Sequence, residues 1–415
     1  SYQSPSFKIS EIDANVFWLE DKKNDTEQLH NFFWLSLIDR KTDYKNIKKI
    51  IFVWMLKNSK YRKEIWETST LSARVISWIM NVDIILNNCT FDFKKNFLNC
   101  IISQTNHLKK NIKFEKNYSK RVEILTALLL SGLVFKEYIN NFNTGIKELE
   151  KLVKNYFDND GFPLTRNPSD LIFFSKYLIL CRECIKDAQQ YVPEFLDTII
   201  DKNLRCIKNI LTPKNQIPLF NGGTEDNLEQ FNKFLNAVDY KSKDKKNIIG
   251  GINTFTIKNS AVFFDVGEPP EKSFSKSYQS GPLSFEYYLD GEKIITNCGF
   301  GSNISSKAEL LSRLTSAQST LTLDDTSVTK FERNKLINRI FGNSIKNTFK
   351  ISKLNIINEE NLIGCSVTHN GYEKNFKCIH TRKLFLDQKN SKLKGTDNII
   401  KKSDGIPIRY VFRFH

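Results

Sequence analysis

Several features that would place a chain outside the ordinary globular proteins are missing from these 415 residues. The longest apolar run, "LTALLLSGLVF" at 125–135, is interrupted by Ser131 and Gly132 and is too short to cross a bilayer, so we expect no membrane span. Lysine and arginine form no block dense enough to be a basic tail. No Gly/Pro-rich linker separates the helical segments described below.

Metal-binding and catalytic motifs are equally scarce. The eight cysteines include a single C-x-x-C, formed by Cys181 and Cys184, with no second pair to complete a zinc site, so we interpret all eight as free thiols. The sequence contains no P-loop, no G-x-G-x-x-G after a strand, no H-E-x-x-H and no G-x-S-x-G. These absences argue against nucleotide-binding, zinc-protease and serine-hydrolase functions, and we expect no cofactor.

Positive charge is what the chain has in excess. The formal net charge is +16 and the pI is near 9.3. One interpretation is a polyanionic partner, which could be nucleic acid, an anionic membrane or an acidic polysaccharide. The other is a compositional bias, since the whole chain is rich in Lys, Asn and Ile.

The hydrophobic period divides the chain into two halves. Up to about residue 235, apolar residues recur at i, i+3, i+4 and i+7, which predicts helices. The predicted helices cover 44–58, 70–88, 91–112, 119–139, 144–157, 168–188 and about 193–211. Such helical hairpins cannot bury both faces alone and must pack side by side as a bundle, solenoid or closed toroid.

From about residue 250 the period changes to two, which predicts strands in 252–267, 283–299, 319–328, 360–372 and 379–387. Asp290-Gly291 is a strong signal for a type I′ hairpin turn. Helices followed by strands predict separate all-α and all-β domains. We place them at 1–240 and 250–415, with the boundary in the lysine-rich segment 236–251.

Two histidines stand in a setting that could support proton transfer. His369 and His380 lie in "THNGYEKNFKCIHTRKL", together with Tyr372 and Arg382. A turn at Asn370-Gly371 would bring His369 and Tyr372 to one loop, and a His, Tyr and Arg set can move protons beside an anion. The alternative is a hairpin that contains a hydrogen-bonded structural histidine.

In the helical half, four residues are candidates for sugar binding. Arg74 and Trp78 are one helical turn apart and could hold a sugar ring and its carboxylate, although packing is the more common role of such a Trp. Arg166 precedes a helix start formed by Asn167 and Pro168 and could reach into a cleft. Asn221 lies in "PLFNGG", where the glycines allow close backbone approach.

A series of segments resembles the heparinase II/III-like family of polysaccharide lyases. The segments are "WETSTLSARVISWI", "DGFPLTRNPSDL", "FNGG", "SGPLSFEYYLDGEKIITNCG", "RLTSAQSTLTLDDTS", "HNGYEKNFKCIHTRKLFL", "LKGTD" and "IRYVFRFH". They follow the family order over nearly the whole chain. The resemblance implies a multidomain α + β protein, with an N-terminal incomplete (α/α) toroid of helical hairpins followed by an antiparallel β-sandwich. It also suggests that the sandwich at 250–415 is C-terminally truncated.

The resemblance further implies β-elimination on polysaccharides that contain uronic acid, in a basic cleft between the two domains. It points to Asn117 as the residue that grips the substrate carboxylate, and it places Asp170 near the position of a catalytic Tyr in some members. The metal site of the family corresponds to Gln279, Asn297 and Gln318. Three neutral amides make a poor zinc site, so we expect no metal and instead hydrogen bonds among these loops.

Two hypotheses remain open. The first is a metal-free lyase acting on an acidic polysaccharide, in which Asn117, His369, Tyr372, His380 and Arg382 carry catalysis, and Arg74, Trp78, Arg166 and Asn221 bind substrate. The second is a non-catalytic glycan-binding or scaffold protein that kept the fold. We expect no nucleic-acid partner, because such a role would require a continuous Lys/Arg stripe with exposed aromatic residues. The sequence leaves the compartment, the oligomeric state and the particular polysaccharide open.

Overall fold

A computed structural model describes most of the chain. The described residues are 26–37, 44–58, 60–225, 228–237, 246–334, 336, 338, 342–359, 361–387, 389, 392–402 and 409–415. Part of the predicted boundary segment, 238–245, lies outside them. The chain forms two compact units. The helical unit comprises Ser1–Asn155 and Lys176–Leu196, and the sandwich unit comprises Tyr156–Ser175 and Asp197–His415.

The helices begin and end close to the positions that the periodicity predicts. They are α1 Thr26–His30, α2 Tyr44–Asn58, α3 Thr68–Met80, α4 Val82–Leu86, α5 Phe91–Asn111, α6 Tyr118–Val134, α7 Ile139–Tyr156, α8 Pro168–Asp187, α9 Glu194–Ile210, α10 Glu229–Ala237, α11 Ser306–Ser312 and α12 Glu373–Phe376. The predicted helix at 70–88 is two helices, α3 and α4, separated by Asn81. None of the described helices is both long and apolar enough to span a membrane.

Helix α3 forms the buried centre of the helical unit. Every residue from 70 to 79 is buried, and the helix packs against α5 and α6. Trp78 of α3 meets Trp54 of α2 edge to face, with ring centroids 5.3 Å apart. A helix that is buried on all sides belongs to a core, which explains why polar residues in it must find internal partners.

The strands of the sandwich unit are β1 Ile248–Ile249, β2 Ile252–Ile257, β3 Ser260–Asp265, β4 Phe285–Leu289, β5 Glu292–Ile295, β6 Leu321–Leu323, β7 Ile351–Glu359, β8 Leu362–His369, β9 Cys378–Asp387, β10 Lys392–Lys401 and β11 Tyr410–Phe412. They form an antiparallel five-stranded sheet of order β1-β2-β3-β4-β5, a four-stranded sheet of order β10-β9-β8-β7, and the pair β11-β6. At the predicted hairpin turn, Asp290 and Gly291 both have positive φ, as a type I′ turn requires.

The two larger sheets pack face to face around one apolar core. The first sheet contributes Phe255, Val262, Phe264, Phe285 and Tyr287 among others, and the second contributes Cys365, Val367, Leu384 and Leu386. Alternate residues of each strand therefore point inward, as in an antiparallel sandwich. The predicted β-sandwich is thus present.

The compact units divide the helical part of the chain differently from the predicted domains. The sandwich unit includes the loop and helix start at 156–175 and most of α9 as well as the strands. The boundary predicted between residues 240 and 250 marks the change from helices to strands, and as a domain boundary it stays a prediction.

Candidate functional site

The two histidines singled out in the sequence face each other on adjacent strands. His369 of β8 pairs in register with His380 of β9, and the Nε2 of His369 lies 3.1 Å from the Nδ1 of His380. The Nε2 of His380 lies 2.6 Å from Oδ1 of Asp397 on β10. The backbone N–H of Gly371 donates to Nδ1 of His369 over 3.0 Å. We call His369, His380 and Asp397 the histidine chain.

The network assigns the protons of the histidine chain. Because the Gly371 N–H can only donate, Nδ1 of His369 accepts and its Nε2 carries the proton. That proton is donated to Nδ1 of His380, whose own Nε2–H then donates to Asp397. Both imidazoles are therefore neutral, and each ring nitrogen already has a partner.

Burial explains the protonation states of this chain. His369 and His380 are buried, and desolvation lowers the pKa of each, well below the usual range in the case of His369. Burial alone would raise the pKa of Asp397, but hydrogen bonds from His380 and Arg382 lower it to about 2. The carboxylate therefore stays ionised between the neutral ring of His380 and the guanidinium of Arg382.

Arg382 and Tyr372 complete the buried group. Arg382 donates to both carboxylate oxygens of Asp397, over 2.8 and 3.1 Å, and to the carbonyls of Leu283 and Ser319. Tyr372 donates to the Leu321 carbonyl over 2.7 Å, and burial raises its pKa. The fold thus brings the four predicted proton-transfer residues of this region together. It places them inside the sandwich unit, where their polar atoms bond to one another, to Asp397 or to backbone groups.

Arg74 and Trp78 lie in the core of the helical unit. Arg74 is fully buried, and its guanidinium donates to the side chain of Gln104 and to the carbonyls of His30 and Ile65. It lies over the ring of Trp54 rather than beside Trp78, 4.4 Å from the centroid. Burial lowers the pKa of Arg74 to about 9.

Arg166 is an internal anchor of the sandwich unit. It forms an ion pair with Asp265 at 2.6 Å and donates to the carbonyls of Gly250, Gly251 and Glu268. These contacts hold the loop before α8 to the ends of β1 and β3. Only a small part of its guanidinium therefore remains available to a ligand.

The two predicted asparagines have local roles in the backbone. Asn117 is exposed and caps α6, where its side chain accepts from the N–H groups of Ser119 and Lys120. Asn221 is buried in the left-handed conformation, and its Oδ1 accepts weakly from the N–H of Gln279 over 3.5 Å. The Nδ2 of Asn221 has no partner among the described residues.

Gln279, Asn297 and Gln318, which we call the amide cluster, bond to the backbone of neighbouring loops, and two of them share one carbonyl. Gln279 and Gln318 both donate from Nε2 to the carbonyl of Ser312, over 2.9 and 2.8 Å. Asn297 accepts from the N–H of Ser319, the residue after Gln318, over 2.9 Å. All three amides are buried. The three positions thus hold neighbouring loops together by hydrogen bonds.

The amide cluster does not fit the metal that the family resemblance implies. An amide can ligate only through its oxygen, yet Oε1 of Gln279 accepts from the Gly222 N–H and Oδ1 of Asn297 accepts from Ser319. Zinc prefers imidazole, thiolate and carboxylate ligands. In the described part of the chain, no group of three or more His, Cys, Asp or Glu is placed to hold a metal ion.

A buried carboxyl that the sequence analysis missed lies next to this cluster. Glu286 of β4 is fully buried and accepts from the backbone N–H of Leu219 and of Asn297 and from the hydroxyl of Thr296. Burial raises its pKa. Glu286 therefore anchors the "FNGG" loop, and its position in an alternating strand gave no signal of this role.

Asp170 is a further acidic residue, and side-chain hydroxyls hold its carboxyl. It is half-buried in the first turn of α8, and its Oδ2 accepts from the hydroxyls of Tyr156 and Thr165 over 2.8 and 2.7 Å. Burial raises the pKa of Asp170, although these hydrogen bonds and the charge of Lys276 act in the opposite direction. The alternative to a functional role is that Asp170 only stabilises the helix N-terminus, as acidic residues in a first turn do.

Comparison with known proteins identifies the relatives of this fold. Residues 249–415 match the family model described as "Heparinase II/III-like, C-terminal". The heparan sulfate lyase HepC from Pedobacter heparinus superposes with a TM-score of 0.66 at 19% identity, covering 94% of this chain and 64% of that chain. The heparinase III product of BT4657 gives a TM-score of 0.69 at 16% identity, covering 95% and 67%. No curated protein matches by sequence.

These findings confirm the predicted resemblance and fold class, a helical toroid followed by an antiparallel β-sandwich. A structure described as heparinase III adds a TM-score of 0.67 at 15% identity over 91% of this chain. The chain spans about two thirds of the lengths of these structures, 64% in the case of HepC. At such identities the likeness establishes the fold alone.

Proposed function

We propose that the protein is a lyase that cleaves an acidic polysaccharide by β-elimination. The premise is the match of residues 249–415 to the heparinase II/III-like C-terminal family model. The observation that carries the proposal is the half-buried Asp170, held by two hydroxyls beside a lysine, on a fold shared with heparan sulfate lyases. The excess of positive charge on the chain suits a polyanionic substrate.

In this reaction a base removes the C5 proton of a uronate, the electron pair forms the C4–C5 double bond, and the C4–O bond breaks. The leaving oxygen then takes up a proton. Asp170 is the proposed proton acceptor, because a carboxyl with a raised pKa is a stronger base than an exposed one. Lys276, which is exposed and acts on Asp170 electrostatically, would neutralise the uronate carboxylate.

The predicted site residues have different roles in this proposal. The polar atoms of His369, His380, Arg382 and Tyr372 have partners inside the sandwich unit, so we propose that they support the fold around the site. Arg74, Trp78 and Arg166 are buried or anchored in the same way. Asn117, which is exposed, and Asn221, whose buried Nδ2 has no partner among the described residues, are kept as proposed substrate contacts.

A second candidate function is a glycan-binding protein without catalytic activity. The burial of the histidine chain favours it, because a base must come within hydrogen-bond reach of the substrate proton. Under this hypothesis Asp170 only stabilises the first turn of α8.

The test is to incubate the purified chain with heparan sulfate, alginate and related uronates and to follow the ultraviolet absorbance of unsaturated uronate. We expect product from at least one substrate, and Asp170→Asn should lower kcat by about 10²-fold or more. Asp158→Asn is the matched control, because Asp158 is an exposed aspartate of the loop before α8, and its carboxylate accepts from the backbone N–H groups of Asp160 and Phe162.

Thermal unfolding should show that both variants are folded. A folded protein that yields no unsaturated product but binds one of these polysaccharides reversibly would contradict the lyase proposal. It would support the binding alternative. Equal losses of activity in both variants would remove Asp170 from the proposal.

A further inference from the structure

A cavity of about 390 Å³ lies on the sandwich unit, away from Asp170 in the chain. One wall contains Lys330, Asn347 and Thr348, and the other is the turn at Asn370 and Gly371 with Lys374 beyond it. We call this the Lys330–Lys374 pocket. Its volume is within the range of sites for small ligands or for single sugar units, about 300 to 1,000 Å³.

Hydrogen bonds fix the first wall of the pocket. The side chain of Asn347 donates to the Val328 carbonyl over 2.9 Å and accepts from the Lys330 N–H over 2.6 Å. Its amide therefore has both ends engaged, and the backbone that carries Lys330 is held in place. A wall that is formed before a ligand arrives loses little entropy when the ligand binds.

The second wall is equally constrained. The Oδ1 of Asn370 accepts from the Lys350 N–H over 2.8 Å, and the Gly371 N–H donates to His369 of the histidine chain. A Cβ on Gly371 would lie 2.3 Å from a methyl of Val328, so only glycine allows the turn to approach this closely. Both walls thus rest on Val328.

The pocket carries a net positive charge. Lys330 and Lys374 are exposed, and neither forms an ion pair with a carboxylate in the described residues. The one acid in the lining, Glu373, is neutralised by Lys402 at 2.6 Å, and that hydrogen bond lowers its pKa. The lysines that flank the first wall, Lys346 and Lys350, are paired with Glu332 and Glu268 instead.

We propose that the Lys330–Lys374 pocket binds an anionic group, carboxylate or sulfate, of an acidic polysaccharide, and acts as a second subsite apart from Asp170. The ligand class rests on the proposed function. Two ammonium groups, together with the Thr348 hydroxyl and the Asn375 amide of the lining, can contact both the charge and the hydroxyls of one sugar unit. The lining contains no aromatic residue on which a nucleic-acid base could stack, which favours a sugar over a nucleic acid.

The test is the binding of heparan sulfate and alginate oligosaccharides to immobilised protein. The double variant Lys330→Glu/Lys374→Glu should raise the Kd at least about tenfold. The matched control is Lys307→Glu/Lys392→Glu, two exposed lysines outside the pocket, which makes the same change in net charge. We expect the control to change the Kd by less than about twofold.

Equal weakening by the two double variants would overturn the proposal, because it would show a response to net charge alone. A single-stranded oligonucleotide provides the second arm, and selective loss of its binding in the pocket variant would replace the polysaccharide by a nucleic acid. The pocket and the lyase proposal fail separately. Specific binding without unsaturated product would support the pocket proposal and contradict the lyase proposal. Product formation with an unchanged Kd in the pocket variant would support the lyase proposal and contradict the pocket proposal.

Discussion

The sandwich unit contains two buried clusters of polar side chains. Both hold neighbouring segments together by hydrogen bonds, but they use different chemical groups. The histidine chain joins β8, β9 and β10 through groups that can gain protons, and Arg382 pairs with its carboxylate. The amide cluster joins the loops around Ser312 through groups that do not titrate. We therefore expect the first group to make the fold sensitive to acid and the second to be indifferent to pH.

The largest effect should come from breaking the ion pair beside the histidine chain. In Arg382→Ala, Asp397 loses its cationic partner and the carbonyls of Leu283 and Ser319 lose the guanidinium that donates to them, so the free energy of unfolding should fall by about 3–5 kcal/mol. The measurement is urea denaturation of the purified variant. Arg409→Ala is the control, because Arg409 pairs with Asp325 at the surface, where such pairs contribute little.

A loss for Arg382→Ala no larger than that of the control would mean that water replaces the missing donors. In that case the buried network would contribute no more to stability than a surface ion pair. The difference in stability loss between the two arginine variants thus measures how well the fold excludes water from the histidine chain.

The amide cluster should show the next largest effect. Gln279→Leu removes the donor to the carbonyls of Gly299 and Ser312 and the acceptor of the Gly222 N–H. The Ser312 carbonyl keeps Gln318 as a donor, but the Gly299 carbonyl and the Gly222 N–H lose the partner that Gln279 supplies, which should lower the free energy of unfolding by about 2–3 kcal/mol. Gln318→Leu serves as the graded comparison, since only one donated hydrogen bond, to Ser312, is found for its side chain. A larger loss in Gln318→Leu than in Gln279→Leu would contradict this ranking.

The elements that could be predicted from the sequence are those with a one-sided hydrophobic pattern. Helix α5 and the hairpin at Asp290-Gly291 follow from local periodicity and turn chemistry. Strands β7 and β10 were missed because both lie at the edges of their sheet, where most side chains are exposed and no alternation is visible.

The candidate site was predictable only in part for a related reason. That His369 and His380 would meet follows from a hairpin in this region, but Asp397 reaches them through the register of β10, which local patterns do not define. Whether a polar residue binds a substrate or an internal carbonyl depends on its burial. Arg74 and Arg166, which resemble binding residues in the sequence, are held by internal groups in the fold.

A pH titration should separate the two buried groups. The pKa values of His369 and His380 are lowered in the folded protein, so their contribution is complete above the unfolded value near 6.5 and is lost as the pH falls below it. Asp397 adds a second loss as the pH falls below 3.8 toward its folded pKa of about 2. Urea denaturation at pH 7.5 and 5.5 should therefore show lower stability at pH 5.5, and His380→Gln should reduce that difference. The Gln279→Leu variant should retain the full difference, and its disappearance there would mean that the two groups are coupled.

Chelation should have the smallest effect. The oxygens of Gln279 and Asn297 accept from backbone N–H groups, and neutral amides are poor zinc ligands. EDTA should therefore leave the unfolding temperature unchanged. Added zinc should likewise fail to restore the stability of Gln279→Leu. Elemental analysis of the purified protein provides the independent readout. A stoichiometric metal whose removal lowers the unfolding temperature would show that the loops around Ser312 rearrange to ligate an ion, and the distinction between a titrating group and an inert amide group would then no longer hold.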